Sequence, residues 1–166
     1  MNTKKNDVGL SKRPILPRGR NRVCENDHFE VFFDHLDGRG GYSVSNYLVV
    51  SPKRKAANLI SGVAILPILK KKAMLLKVYR HPIGDWSWEI PRGFIEEKEK
   101  EQISVARELE EETGLSCDKS DIQSLGLIAP DAGILSARIH LFVALRCRIV
   151  REFVPNEIGH SEKKWV

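Results

Sequence analysis

Apolar and polar positions alternate through HFEVFFDH (28 to 35) and YSVSNYLVV (42 to 50), and glycines at 38, 40 and 41 lie between the two runs. A period of two bounded by turn residues predicts a pair of strands closed as a hairpin. After a basic connector, Pro52 to Ala57, the runs GVAILPIL and AMLLKVYR are almost continuously apolar and are split by Lys70 to Lys72. That pattern predicts two strands buried on both faces. A loop with Pro82, Gly84, Trp86 and Trp88 then leads into EIPRG. From about Glu101 to Thr113 the spacing of apolar residues lengthens to the helical period, and Gly114 follows at the position where helices turn left-handed and stop. Two more strands are expected at Ile122 to Ile128 and Ile139 to Val150. Strands that precede and follow one long helix make a mixed α+β domain.

Charge is distributed unevenly over this frame. The formal net charge is +5, but the first 22 residues alone carry +6, from Lys4, Lys5, Lys12, Arg13, Arg18, Arg20 and Arg22 against Asp7. We therefore expect residues 1–22 to be a flexible basic tail, residues 23–57 to be a hairpin arm, and residues 58–166 to hold the remaining elements as one domain. The tail has no interleaved aromatics and no helical period, so nucleic acid is not expected as a partner. A hairpin too small to bury itself suggests that two copies of the chain pair through the arm as a homodimer. Three cysteines, Cys24, Cys117 and Cys147, have no C-x-x-C spacing, which argues against a disulfide framework or a zinc site and for a reducing, cytoplasmic setting. The longest apolar stretch, Leu59 to Leu69, is interrupted by Gly62 and Pro67 and is too short to span a membrane. The closing EKKWV reads as the beginning of a strand, and we expect a further helix or a second chain to cover it.

The helix itself poses an electrostatic problem. Glu108, Glu110, Glu111 and Glu112 crowd its last turns, where the dipole already concentrates negative charge, so each acid costs about 0.3–1 kcal/mol before mutual repulsion is counted. Arg107 offsets one of them. At 100° per residue Glu108, Glu111 and Glu112 share a face with Glu101 and Ser104, while Val105, Ala106 and Leu109 mark the side expected to be buried. Glu110 reads as a solvated surface acid. Three converging carboxylates invite a divalent cation with oxygen ligands.

The run from Gly93 to Leu115 resembles the Nudix box. Gly93, Glu99, Arg107, Glu108, Leu109, Glu111, Glu112, Gly114 and Leu115 fill each defined position of that pattern. The resemblance implies an αβα sandwich with a mixed sheet, preceded here by the N-terminal β-hairpin arm, with residues 58–166 as the catalytic domain. It also implies hydrolysis of a nucleoside diphosphate linked to another group, with Mg2+ as cofactor and Mn2+ as a substitute. Carried over by position, Glu108 and Glu112 are the principal metal ligands, Glu111 is a further one, and the backbone carbonyl of Arg92 faces the metal. Glu99 and Arg107 tie loop to helix.

Outside the box, VYRHPIGDWSWEIPRG before the helix and APDAGILSARIHLFVA after it look like the ADP-ribose and nucleotide-sugar pyrophosphatase branch. Where that branch ends its motif in Pro-Ala-Gly, this chain has Pro91, Arg92 and Gly93, and the Arg92 side chain is placed to reach a phosphate. Arg80 suits a substrate phosphate or ribose and equally a surface cation. Trp86 and Trp88 flank Ser87, so in an extended segment both point to one side, to stack on a base or to fill the core. Pro130 falls near a proline of the branch's substrate loop and reads equally as an ordinary turn residue. His140 reads as a packed histidine. For the water-activating base, the late segment VPNEIGHSEKKWV offers Glu157 first and Glu162 second. The substrate is expected to be a small nucleotide diphosphate, with triphosphates, dinucleoside polyphosphates, capped RNA or a non-catalytic sensing module as alternatives.

Overall fold

The structure, a computed structural model, describes residues 14–155 and 157–166. They fall into two compact units: one formed by the residues up to Lys53 together with Gly133–Ser136, the other by Arg54–Ala132 and Ala137–Val166.

In the first unit three antiparallel strands run β1 (Ile15–Glu25), β2 (Phe29–Gly38) and β3 (Ser43–Pro52), with β2 in the middle. Strands β2 and β3 are the expected hairpin. Strand β1 was not expected, because its residues up to 22 read as tail; the remainder of that tail lies outside the described residues. Strand β1 buries little, and cross-strand charge holds it in place. Arg20 lies opposite Asp34 and donates two hydrogen bonds of 2.7 Å to its carboxylate, Arg18 reaches Asp37 at 2.7 Å, and Arg22 reaches Glu30 at 3.1 Å. These arginines are structural partners, so the tail's apparent excess of cations is partly neutralised within the sheet. In the same unit Val50 donates to the carbonyl of Ile134 and accepts from Ser136.

The second unit is built on a seven-stranded mixed sheet, ordered β12 (His160–Trp165), β5 (Lys72–Arg80), β4 (Ile60–Leu69), β10 (Arg138–Ala144) and β9 (Ile122–Ile128). Strand β6 (Asp85–Glu89) pairs with β5, and the short β7 (Arg92–Phe94) pairs with β4. The β4–β10 pair is parallel and the other pairs are antiparallel. The two apolar runs of the sequence are the central β4 and β5. They are joined by Lys70 and Lys71, both with positive φ (50° and 65°), the geometry a two-residue hairpin demands. A two-stranded ribbon, β8 (Leu115–Ser116) with β11 (Arg148–Ile149), replaces the second half of the strand expected at 139 to 150.

Helix α1 spans Glu101–Thr113 and ends at Gly114 in the left-handed region (φ 70°). A side chain at Gly114 would run into the backbone of Arg151. Val105 and Leu109 are buried with Val63, Ile65, Met74, Leu76 and Val78 of β4 and β5. Each such side chain contributes about 1.5–3 kcal/mol. Ala106, expected on the buried side, is exposed; Ser104, Glu108 and Glu112 occupy that face instead. The class is α+β with a mixed sheet, and among the described residues α1 is the one α-helix. The final strand forms as the last residues suggested: β12 pairs along one edge with β5, Trp165 packs against the core, and Val166 is exposed. Among the described residues no helix is long and apolar enough to cross a membrane.

Candidate functional site

The site grows from the close approach of β7 to α1. Gly93 sits on β7 against the carboxyl of Glu108, and any side chain at that position would overlap the Glu108 carboxyl atoms. One residue earlier, the amide N–H of Arg92 donates to Oε2 of Glu112 at 2.7 Å. The glycine lets the helix carboxylates lie directly against strand backbone, and the strand supplies a dipole aimed at one of them.

Arg107 is the hub of the helix side. Its guanidinium donates to both oxygens of Glu99 at 3.1 Å, to Oε1 of Glu108 at 2.7 Å, to Oε2 of Glu111 at 3.1 Å and to the carbonyl of Phe94 at 3.0 Å. Glu99 also accepts from the hydroxyl of Ser104 at 2.6 Å and from the amide of Glu96 at 3.1 Å. Arg107, then Ser104 and the amide, hold its pKa down at about 2, against a raising effect of burial. Glu99 and Arg107 thus tie the loop to the helix. The helix end has a second cation that sequence reading missed: Arg151 donates through its guanidinium to the carbonyl of Glu110.

Glu108 and Glu112 are buried, 5% and 3% exposed, whereas the Glu111 side chain is half exposed. Burial raises the pKa of Glu108 against the pull of Arg107. It pushes Glu112 up to about 8, with Glu157 and Glu108 adding repulsion and the Arg92 amide opposing. Two sunken carboxylates with too little positive charge around them fit a dication with oxygen ligands.

The C-terminal segment closes the other side. Glu157 and His160 come to Glu112, with Nε2 of His160 3.7 Å from Oε1 of Glu112 and 3.5 Å from Oε2 of Glu157. Burial lowers the pKa of His160, and Glu157 opposes it. Glu157 therefore lies beside the box carboxylates, while Glu162 does not. A bulge between His160 and Glu162 turns the latter to the opposite face of β12, where it pairs with Lys77 at 2.7 Å.

The remaining candidates divide between the two faces in the same way. Arg80 donates to both oxygens of Glu89 at 2.9 and 2.7 Å, and the guanidinium of Arg92 stands 3.3 Å from the same carboxylate. Glu89, held low first by Arg80, positions both cations. Trp86 and Trp88 alternate with Ser87 and Glu89, so they point away from Arg80 and Arg92. They share that outer face with Lys77, Tyr79 and Lys164, whose ammonium lies 4.0 Å from the Trp88 ring. Trp86 and Trp88 are 48% and 39% exposed, so the reading that they fill the core is corrected. His140 is a packed residue, its ring 4.2 Å from Phe142 and its nitrogens engaged by Ser124 and Glu101. Pro130 opens an exposed turn.

Glu89 and His160 went unread because neither sits in a local pattern. Glu89 alternates with tryptophans and resembles the solvent face of a strand, and His160 acquires its neighbours from pairing with Val78, far back in the chain. The nearest signals were the two arginines, at 80 and 92, that needed an acid between them.

Residues 59–166 match the NUDIX domain model. The chain is 29% identical over 131 residues to CMP-5'-(N-acetyl-N-hydroxy-3-aminopropyl)phosphonate hydrolase of Streptomyces rubellomurinus, covering 78% of this chain and 58% of that protein. It is 31% identical over 94 residues to the ADP-sugar pyrophosphatase of Mus musculus, covering 54% of this chain and 41% of that protein. The chain thus spans about half the length of these relatives. A crystal structure of an ADP compounds hydrolase shares the fold with a TM-score of 0.70 at 18% identity, over 93% of this chain and 77% of that one. Together with the filled box and its convergent carboxylates, the match over most of its length makes this chain a member of the Nudix family.

Proposed function

We propose that the protein hydrolyses the pyrophosphate bond of ADP-ribose or a related nucleotide sugar with Mg2+, or Mn2+ in its place, releasing a nucleoside monophosphate and a sugar phosphate. The observation that carries this reading is the pair of buried carboxylates, Glu108 and Glu112, wedged against Gly93 and the Arg92 amide with too few cations to balance them. Glu108, Glu112 and Glu111, with the carbonyl of Arg92, would hold the metal. Once bound, the dication screens the diphosphate charge and lowers the pKa of water.

The chain's own groups then have separate tasks. Glu99 and Arg107 fix the helix against the loop, so that the carboxylates keep their spacing. Arg80 and Arg92 present a paired guanidinium surface, braced by Glu89, to phosphate oxygens. Glu157, exposed and next to Glu112, takes the proton from the attacking water. Trp86 and Trp88, on the other face, have no part in this scheme.

The relatives' names support a nucleotide substrate and differ in base and attached group, so the CMP phosphonate class stands as the second reading. Its support is a similarity that covers 78% of this chain. Incubation with ADP-ribose, sugar nucleotides, a CMP phosphonate, dinucleoside polyphosphates and triphosphates, with Mg2+ or Mn2+, tests both. Release of AMP from ADP-ribose is expected, and no monophosphate from any compound would refute the assignment. The proposed homodimer pairs through the three-stranded unit, whose Phe33, Val44 and Leu48 are each about two-fifths exposed.

A further inference from the structure

We propose that Glu112, Glu157 and His160 form a mixed nitrogen and oxygen site for a transition-metal dication of the Mn2+, Co2+ or Zn2+ class, beside the all-oxygen carboxylate cluster. Each residue offers one ligand atom, and the three atoms lie within 4.8 Å of one another. The two distances from His160 Nε2, 3.7 and 3.5 Å, are too long for good hydrogen bonds. They are close to the ~3.4 Å edge of a tetrahedral shell with bonds of about 2.1 Å.

The imidazole supplies the nitrogen donor. Its side chain is 4% exposed, and it turns Nε2 toward both carboxylates without a hydrogen bond of normal length to either. A buried ring nitrogen held between two carboxylate oxygens at these distances is placed to share a cation with them. The backbone fixes where it points. Gly159, at φ 90°, lies so close to Tyr79 that a side chain there would press on the Tyr79 carbonyl, and its own carbonyl accepts the Tyr79 amide at 2.9 Å. The amide of His160 in turn donates to the carbonyl of Glu157 at 3.1 Å, which folds both residues toward the same side. On Glu112 the Arg92 amide occupies Oε2, leaving Oε1 for the cation.

Donor chemistry sets the selectivity. Imidazole nitrogen suits Mn2+, Co2+ and Zn2+, whereas Mg2+ prefers oxygen alone, so one protein would hold two grades of site sharing Glu112. The inference rests on the proposed function in treating Glu112 as a metal ligand, and it adds a nitrogen ligand and a metal class; with Mg2+, which leaves the nitrogen site empty, Glu157 stays free to act as the base.

The test uses the wild-type protein first. With one equivalent of Mn2+, electron spin echo spectroscopy is expected to show coupling to a 14N nucleus, and titration with Co2+ to give visible absorption bands and at least tenfold tighter binding than Mg2+. His160→Gln is expected to remove the nitrogen coupling and weaken Co2+ binding at least tenfold. An unchanged circular dichroism spectrum shows that the variant has folded, and the wild-type spectrum stands whether or not it does. Absence of 14N coupling in the wild-type protein overturns the proposal. The ADP-ribose assay with Mg2+ on the same preparation separates the two ideas: turnover without nitrogen coupling refutes this site alone, and coupling without turnover refutes the hydrolase reading alone.

Discussion

At the scale of single residues, the site depends on what is missing at position 93. Because a methyl group on Gly93 would collide with the Glu108 carboxyl, Gly93→Ala must push the helix or swing the glutamate away. Calorimetric titration with Mn2+ should show affinity falling at least tenfold, with a loss of about 1–3 kcal/mol in stability from overpacking. Glu99 gives a different kind of test. Its folded pKa of about 2 lies below the model-peptide carboxylate value, so the native state favours the ionised form. Its contribution is therefore complete above the unfolded pKa and disappears as pH falls from about 4.5 toward 2. Solvent screening keeps this on the order of 1 kcal/mol. Denaturant melts should show Glu99→Gln losing stability relative to wild type at neutral pH, with the gap closing over that acid window. A gap that stays constant down to pH 2 would count against the Arg107 pairing as its cause.

At the scale of elements, two junctions carry opposite expectations. The Lys70–Lys71 turn places two side-chain-bearing residues in left-handed conformations, each unfavourable by roughly 1–2 kcal/mol. Replacing the pair by Asn-Gly should stabilise the protein by about 1 kcal/mol, read as a higher denaturant midpoint with an unchanged slope. Arg151 works the other way. It bonds the carbonyl of Glu110 at the negative end of α1, and Arg151→Ala should lower stability by about 1 kcal/mol and melt the helix end first in hydrogen exchange. The helix, its glycine stop and the order of its glutamates were legible because all the information lies within one local period. Strand β1 was not, because Pro17, Gly19 and alternate arginines hide a strand that is held by acids on β2. Trp86 and Trp88 were read correctly as sharing one side, but that side is solvent and not core, since alternation says which residues go together and not which way they turn. Glu162 was misplaced by a single bulge.

For the molecule as a whole, the proposed pairing of two chains through the three-stranded unit can be checked directly. Phe33 and Leu48 lie opposite each other across β2 and β3 and both are partly exposed. Light scattering is expected to give twice the chain mass for wild type and a single chain mass for Phe33→Glu; a wild-type monomer at micromolar concentration would remove the idea. The sheet's topology also bears on assembly. Its centre joins β4 to β10 in parallel, with Ile60 beside Arg138. Bringing such distant positions together costs about 4 kcal/mol in chain-closure entropy, whereas the β4–β5 hairpin and α1 need only neighbours. Folding should therefore begin with these local pieces, and docking of β10 should set the rate. The box glutamates can then meet their strand early, while the refolding clock is governed by a ladder that holds none of them.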